Sequence, residues 1–245
     1  MDISQKTSTI SLRVEAFKAT QNKDLCLKYA EGHTNVLTSY GIKKISSTDL
    51  SWIEDENVYV FVIKSQSGDV VGGARIHINS SKNPLPIQSA IEPMDDSISG
   101  LINKGNGTRV GEVCALWNAR SVSGNGLSFV LVQSCIAKSG IYLSNQLKID
   151  TLYALCAPWT VKMFQDVGYH IYTDIGDHGT FPYPTNDLKA TIMVVNDLDY
   201  LENANALDKQ KIFELRKNPK KQELKVGAIY DINLNYDLFI STLEV

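Results

Sequence analysis

The hydrophobic and polar positions of this chain change period several times, and each change predicts an element. VYVFVIK, Val58 to Lys64, is rich in β-branched and aromatic residues, and SQSGD supplies a turn before VVGGARIHI, Val70 to Ile78, so the pair reads as a β-hairpin. Gly72-Gly73 in its second arm predicts a bulge or a close backbone approach. A strand from Val110 to Trp117 is followed by the SGNGL loop. From there Leu127, Val130, Leu131 and Cys135 take the i, i+3, i+4, i+8 spacing of one buried helical face, which Ser139-Gly140 ends. Ile149 to Cys156 is a nearly continuous apolar run of the kind buried on both faces of a sheet. Pro158 then opens a short helix in which Val161, Phe164 and Val167 share a face and Gly168 is the stop.

Tyr169 to Tyr172 and Leu188 to Val195 read as further strands, with GDHGTFPYPTND as the loop between them. The first fifty residues predict helix: Asn22 or Asp24 caps a segment through Leu25, Tyr29, Val36 and Leu37 that stops at Tyr40-Gly41 and is broken by Gly32. Ser80 to Pro86 reads as loop, Ile91 to Ile102 as including a short helix, and Lys104 to Gly107 as a glycine-rich turn. Beyond Asp197 a helix from Ala206 to Lys217 is expected, then a lysine-rich stretch, Lys217 to Lys225, read as solvated surface, and a last apolar segment.

The SGNGL loop has the chemistry of an anion-binding turn. The first turn of a helix carries main-chain N–H groups without intrahelical partners, and the helix dipole adds positive charge there. Gly124 and Gly126 let a phosphate approach the backbone closely, and Asn125 between them is small and polar. A lone Gly-x-Gly serves equally as a structural turn. The sequence lacks GxxxxGK[ST] and has only two of the three Rossmann glycines in this loop.

At 245 residues the chain is long enough for one large domain or two small ones. Its 43% hydrophobic and 21% charged residues describe an ordinary globular protein. A net charge of −3 argues against a basic nucleic-acid-binding surface. The N-terminal sequence has no signal pattern, and no segment approaches about 18 uninterrupted apolar residues, so a soluble, cytoplasmic protein without a membrane span is expected. Cys26, Cys114, Cys135 and Cys156 are widely spaced and read as free buried thiols, and no metal site is expected. His33, His77, His170 and His178 show no metal-ligand spacing and read as structural or surface residues.

The order of elements and two motifs resemble the GNAT (GCN5-related) N-acyltransferase superfamily over about Phe17 to Asp199. In the family's loop pattern Gly124 and Gly126 stand on the glycine positions and Leu127 on the apolar one, with Ser121 where Gln or Arg is usual and Arg120 beside it. MFQDVGY, Met163 to Tyr169, is similar to the family's YxKxGF ending; Phe164 stands where a tyrosine often serves as general acid. GGARIHINSSKNPLPI, with Gly73 and Arg75, looks like the GxxRL strand of the acyl-homoserine-lactone synthase and N-acyl amino acid synthase branch. Glu112 matches the first residue of its ExSRF motif, but Cys114, Ala115 and Leu116 replace Ser, Arg and Phe, which argues against a true lactone synthase.

The resemblance implies an α/β (α+β) fold with a mixed central sheet, splayed at the cofactor strand and flanked by helices on both faces. It implies a GNAT domain over residues 1–199, with residues 200–245 as a helix-and-strand extension packed on it. The implied co-substrate is acetyl-CoA or a longer acyl-CoA, with a small-molecule amine acceptor, an acyl-carrier protein as an alternative donor, and a homodimer left open. Cofactor contacts are expected from Leu116, Trp117 and Asn118, from the loop residues Ser123, Gly124, Asn125, Gly126 and Leu127, and from Phe164 and Tyr169.

Acyl transfer to an amine needs a base and an oxyanion site. Glu112 is the base candidate, with an ion pair to Arg75 or Arg109 as the alternative; Arg75 serves an acceptor carboxylate or pairs with Glu112. The resemblance implies main-chain N–H groups of Leu116 to Asn118, where the family's strand splays open, as the oxyanion donors. Tyr153 and Tyr169 are candidate general acids or core residues. Two readings follow: an N-acyltransferase, or a catalytically weakened module that binds acyl-CoA.

Overall fold

The computed structural model describes residues 9–42, 49–103, 109–226 and 230–240; the turn expected at Lys104 to Gly107 lies outside them. The elements run β1 (Thr9–Lys18), α1 (Lys23–Ser39), β2 (Val58–Lys64), β3 (Val70–Ile78), α2 (Pro86–Ile91), α3 (Ser97–Asn103), β4 (Val110–Asn118) and α4 (Leu127–Lys138). They continue as β5 (Thr151–Cys156), α5 (Pro158–Asp166), β6 (His170–Ile171), β7 (Thr180–Pro182), β8 (Lys189–Val195), α6 (Ala206–Lys217), β9 (Lys220–Lys225) and β10 (Asp231–Asp237). One mixed sheet has the order β6-β8-β5-β4-β3-β2-β1-β10-β9, and β7 also pairs with β8. Pairs β4–β5 and β1–β10 are parallel and the rest antiparallel.

Three apolar clusters hold the layers together. The largest lies on the face where Val113, Ala154 and Met193 meet Leu127, Leu131 and Cys135 of α4. On the opposite face Tyr29 and Trp52 cover Val58, Val60 and Val62, and Ile87, Ile91 and Ile98 of α2 and α3 cover Tyr153 and Val194. Helices therefore flank both faces, as the fold class requires.

α1 differs from expectation in one respect. Asn22 caps it, its side chain accepting from Leu25 N at 3.1 Å, and the helix runs unbroken past Gly32 to Ser39. Gly32 is instead where Trp117 packs: a Cβ there would lie 2.1 Å from Trp117 Cη2. Gly32→Ala is expected to cost about 1–3 kcal/mol by overpacking. The loss should shrink when Trp117 is also changed to Leu, because the two sites share one space; urea denaturation of both single variants and the double variant measures it. In β3 the paired glycines mark close approach and a register shift together, since a Cβ at Gly73 would lie 2.7 Å from Phe61 O and the β3–β4 register slips between Gly73 and Arg75.

The N-terminal region is corrected from helix to strand at Thr9–Lys18, where Leu12, Val14 and Ala16 alternate inward at 3%, 0% and 5% exposure. The strand expected at Tyr169 to Tyr172 shrinks to His170–Ile171, and the expected loop contains β7, whose Phe181 is buried under Ile175 and Ile192. The helix expected in Ile91 to Ile102 resolves into α2, which starts earlier at Pro86, and α3. The lysine-rich stretch is an edge strand, β9, with alternating exposure; charge on an edge discourages pairing with another chain. β10 inserts between it and β1, so the last described residues complete the same sheet that begins the chain.

Candidate functional site

β4 and β5 pair only from Val110↔Thr151 to Glu112↔Tyr153, although β4 runs on to Asn118 and β5 to Cys156. The cause lies in β4 itself. Against β3, Gly73 faces Trp117 while Arg75 faces Cys114, so an extra residue bulges out around Ala115, which has φ 50°. Such a bulge bends the strand and increases its twist. The Tyr29 hydroxyl holds the bend by donating to Ala115 O at 2.7 Å. Facing main-chain edges that lack a partner strand are hydrogen-bonding surface left for a ligand.

A cleft of about 680 Å³ fills this split, its walls including Leu116, Trp117 and Asn118 of β4, Leu155 and Cys156 of β5, and Phe164 of α5. Its floor includes Glu112 and Ile87, and its rim the exposed Tyr40 and Trp159. At the α4 end, Gly124 and Gly126 take φ 78° and 68°, and no side chain caps the helix. Asn125 is buried and braces the loop, its Nδ2 donating to Val122 O at 3.2 Å and Ser123 O at 3.1 Å. Among the described residues the N–H groups of Asn125, Gly126 and Leu127 donate to no protein acceptor. The amide of Asn118 meets Ser128 Oγ at 2.6 Å, tying the end of β4 to the first turn of α4.

Glu112 is 2% exposed and accepts from Ile87 N at 2.7 Å. Pro86, the first residue of α2, has no N–H, so this carboxylate takes the next donor of the helix start. Burial pushes its pKa up to about 8; the Ile87 N–H and the Arg75 charge act in the other direction. Arg75 is 1% exposed, with its guanidinium carbon 4.2 Å from the Trp52 ring centroid and 5.9 Å from that of Tyr29. It is enclosed and is not in the cleft lining, but it acts on Cys114, which does line the cleft, through its charge and a side-chain hydrogen bond. Burial also pushes the Cys114 and Cys156 thiols up to about 12, which disfavours the thiolate form of both at neutral pH. His33, in the cleft wall, is held neutral by burial and by Arg75, at about 4.

Of the residues expected from sequence, Glu112, Leu116, Trp117, Asn118 and Phe164 line the cleft. Ser123, Gly124, Asn125, Gly126 and Leu127 are not in its lining; they lead into the first turn of α4, whose Ser128 does line it. Tyr169 lies behind Phe164, edge-on with ring centroids 5.0 Å apart. Tyr153 is not brought into the cleft wall: its ring packs edge-on against Tyr172 at 6.2 Å in the cluster under α2 and α3. His33, Tyr40, Trp159 and Tyr183 are lining residues without a local sequence signal, because their elements meet β4 and β5 only through tertiary packing. Among the described residues no group of His, Cys, Asp and Glu could hold a metal ion, and no helix is long and apolar enough to cross a membrane.

No protein-family model matches the chain, and no curated protein matches its sequence. Solved structures do match. FeeM, an N-acyl amino acid synthase from uncultured soil microbes, superposes with a TM-score of 0.54 at 13% identity, over 79% of this chain and 94% of that one. Escherichia coli ElaA superposes with a TM-score of 0.51 at 8% identity, over 75% and 98% of the two chains. The chain therefore has the GNAT fold that its motifs resemble, a large mixed sheet with helices on both faces.

Proposed function

We propose that the chain is an N-acyltransferase that moves an acyl group from a coenzyme A thioester, or a carrier-protein thioester, to an amine by direct attack. The observation that carries this reading is the split between β4 and β5, which joins an uncapped helix start at one end to a buried, proton-accepting carboxylate at its floor. The residues present fit a phosphopantetheine thioester. The loop N–H groups would take phosphate oxygens, and the unpaired strand edges would take the two amides of the pantetheine arm.

In this reading Glu112 accepts the proton from the amine nitrogen, directly or through one water, as that nitrogen bonds to the thioester carbonyl carbon. Its pKa near 8 matches an α-amino group, for which unperturbed values lie at about 7.7–8.0. Main-chain N–H groups of Leu116 to Asn118, beside the bulge, stabilise the oxyanion. The C–S bond then breaks and the thiol sulfur leaves as a thiolate. With an ordinary thiol pKa of about 8.5 it leaves without a protein acid, so Phe164 in place of a tyrosine does not block the reaction. The thiols of Cys114 and Cys156, held protonated, favour this single displacement over an acyl-cysteine intermediate.

FeeM is named as an N-acyl amino acid synthase, which makes amino acids the first acceptors to try. The test is release of free coenzyme A from acetyl-CoA and longer acyl-CoAs against a panel of amines, with calorimetric binding of the same donors. Turnover with at least one pair is the expected result. Tight binding without release in any pair would leave an acyl-CoA-binding module instead.

A further inference from the structure

The C-terminal hairpin of β9 and β10 reaches the SGNGL loop from the far edge of the sheet. Lys225, the last residue of β9, places Nζ 3.3 Å from the position a Cβ would take at Gly126. On the other side of the hairpin tip, Tyr230 donates its hydroxyl to Ser121 O at 3.2 Å. Lys225 and Tyr230 therefore meet the loop at its two ends, at Gly126 and at Ser121.

Lys225 lies among charges of both signs. The start of α4 is positive by its dipole; burial, and after it Lys211 of α6, holds the Lys225 pKa below the usual lysine value, while Glu223 and Asp208 act the other way. Both carboxylates also hold other partners, and neither forms a direct ion pair with Lys225. Asp208 accepts from Gln133 Nε2 and from Asn205 Nδ2, both at 2.5 Å, and Glu223 pairs with Lys221 at 3.3 Å. Among the described residues Lys225 makes no ion pair. In the same loop Asn125, 3% exposed, leaves its Oδ1 without a partner, an acceptor that calls for a donor such as an ammonium and not for a phosphate oxygen. A half-buried ammonium against uncapped N–H groups is unfavourable alone, and a bound phosphate would make it favourable. The loop itself carries Ser121 where Gln or Arg is usual.

We infer that Lys225 is a phosphate ligand of the donor site: the C-terminal extension supplies, from β9, the positive charge that the loop lacks, and so selects a phosphate-bearing pantetheine thioester. This rests on the N-acyltransferase reading. Isothermal titration of the full chain with acetyl-CoA, acetyl-4′-phosphopantetheine, acetylpantetheine and inorganic pyrophosphate tests it, in the wild type and in Lys225→Ala and Lys225→Arg.

Lys225→Ala should weaken acetyl-CoA and pyrophosphate about tenfold or more, as loss of a charge-assisted contact does, and leave acetylpantetheine unchanged. Lys225→Arg should stay within about threefold of the wild type, since the charge is retained. A loss for acetyl-CoA and none for the phosphopantetheine compound would assign Lys225 to the phosphates particular to coenzyme A; a loss for both would assign it to the phosphate shared with a carrier protein. The unliganded alanine variant should melt at or above the wild-type temperature, which separates a ligand role from a structural one. Equal acetyl-CoA affinity in wild type and Lys225→Ala, or an equal loss for acetylpantetheine, would overturn the assignment. Lysine-dependent pyrophosphate binding without any acyl-CoA binding would keep the anion site and remove the acyltransferase reading; a wild type that binds none of the probes would remove both.

Discussion

Glu112→Gln is expected to lower kcat by about 10²- to 10⁴-fold, the usual worth of a positioned general base, with acetyl-CoA affinity within about twofold of the wild type. The amide keeps the volume and an oxygen to accept from Ile87 N, so the fold of α2 against β4 is retained while the proton acceptor is lost. In the wild type, activity should rise with pH through about 8, where the buried carboxylate ionises, and this limb should be missing in the variant. Stability should move the other way. The folded-state pKa near 8 exceeds the unfolded value of about 4.3, so between these pH values the native state holds a proton that the unfolded chain has released. This group's contribution therefore falls as pH rises from about 4.3 to 8 and is flat above. Glu112→Gln should reduce that slope and melt above the wild type at pH 8. Rate–pH profiles and calorimetric melting from pH 5 to 9 measure both, and an unchanged kcat would exclude Glu112 as the base.

Gly73→Val is expected to cost about 3 kcal/mol or more, at the upper end of overpacking, which corresponds to about 6–12 °C for a chain of this size. A Cβ at Gly73 would lie 2.5 Å from the Tyr29 ring and 2.7 Å from Phe61 O, and the second contact is main chain in the adjacent strand, which cannot rotate away. The same substitution pushes Tyr29 from its bond to Ala115 O, the contact that holds the bulge in β4. Acetyl-CoA affinity should fall together with the melting temperature, and a melting temperature within about 2 °C of the wild type would show that β2 and β3 can separate at no cost.

The elements with strong local signals were readable from the chain: the hairpin, β4, α4, β5, α5 and α6 all carry a clear period or a clear stop residue. β1 was missed although Leu12, Val14 and Ala16 alternate, because a short strand with polar neighbours gains its stability from β2 and β10, both distant in sequence. β7 was hidden by glycine and proline for a similar reason: three residues make a strand only because β8 lies alongside. Gly32 looked like a helix break because a glycine's local cost is visible and the indole that needs its missing side chain is not.

The SGNGL loop and Glu112 could be picked out by residue type and by their places at the two ends of one strand–loop–helix unit. Lys225 could not, since a lysine in a lysine-rich stretch has no mark of its own and acquires a site only where β9 ends beside Gly126. Arg75 and Tyr153 were readable as chemistry but not as position: enclosure by Trp52 and Tyr29, and packing against Tyr172, keep both out of the cleft wall. By itself the sequence determined the periodicities, the glycine turn that leads into α4 and the resemblance that predicts the fold. Only the tertiary structure decided where β4 and β5 part, which carboxylate is desolvated and which cation faces the loop, because separation, burial and charge balance depend on contacts between segments far apart in the chain.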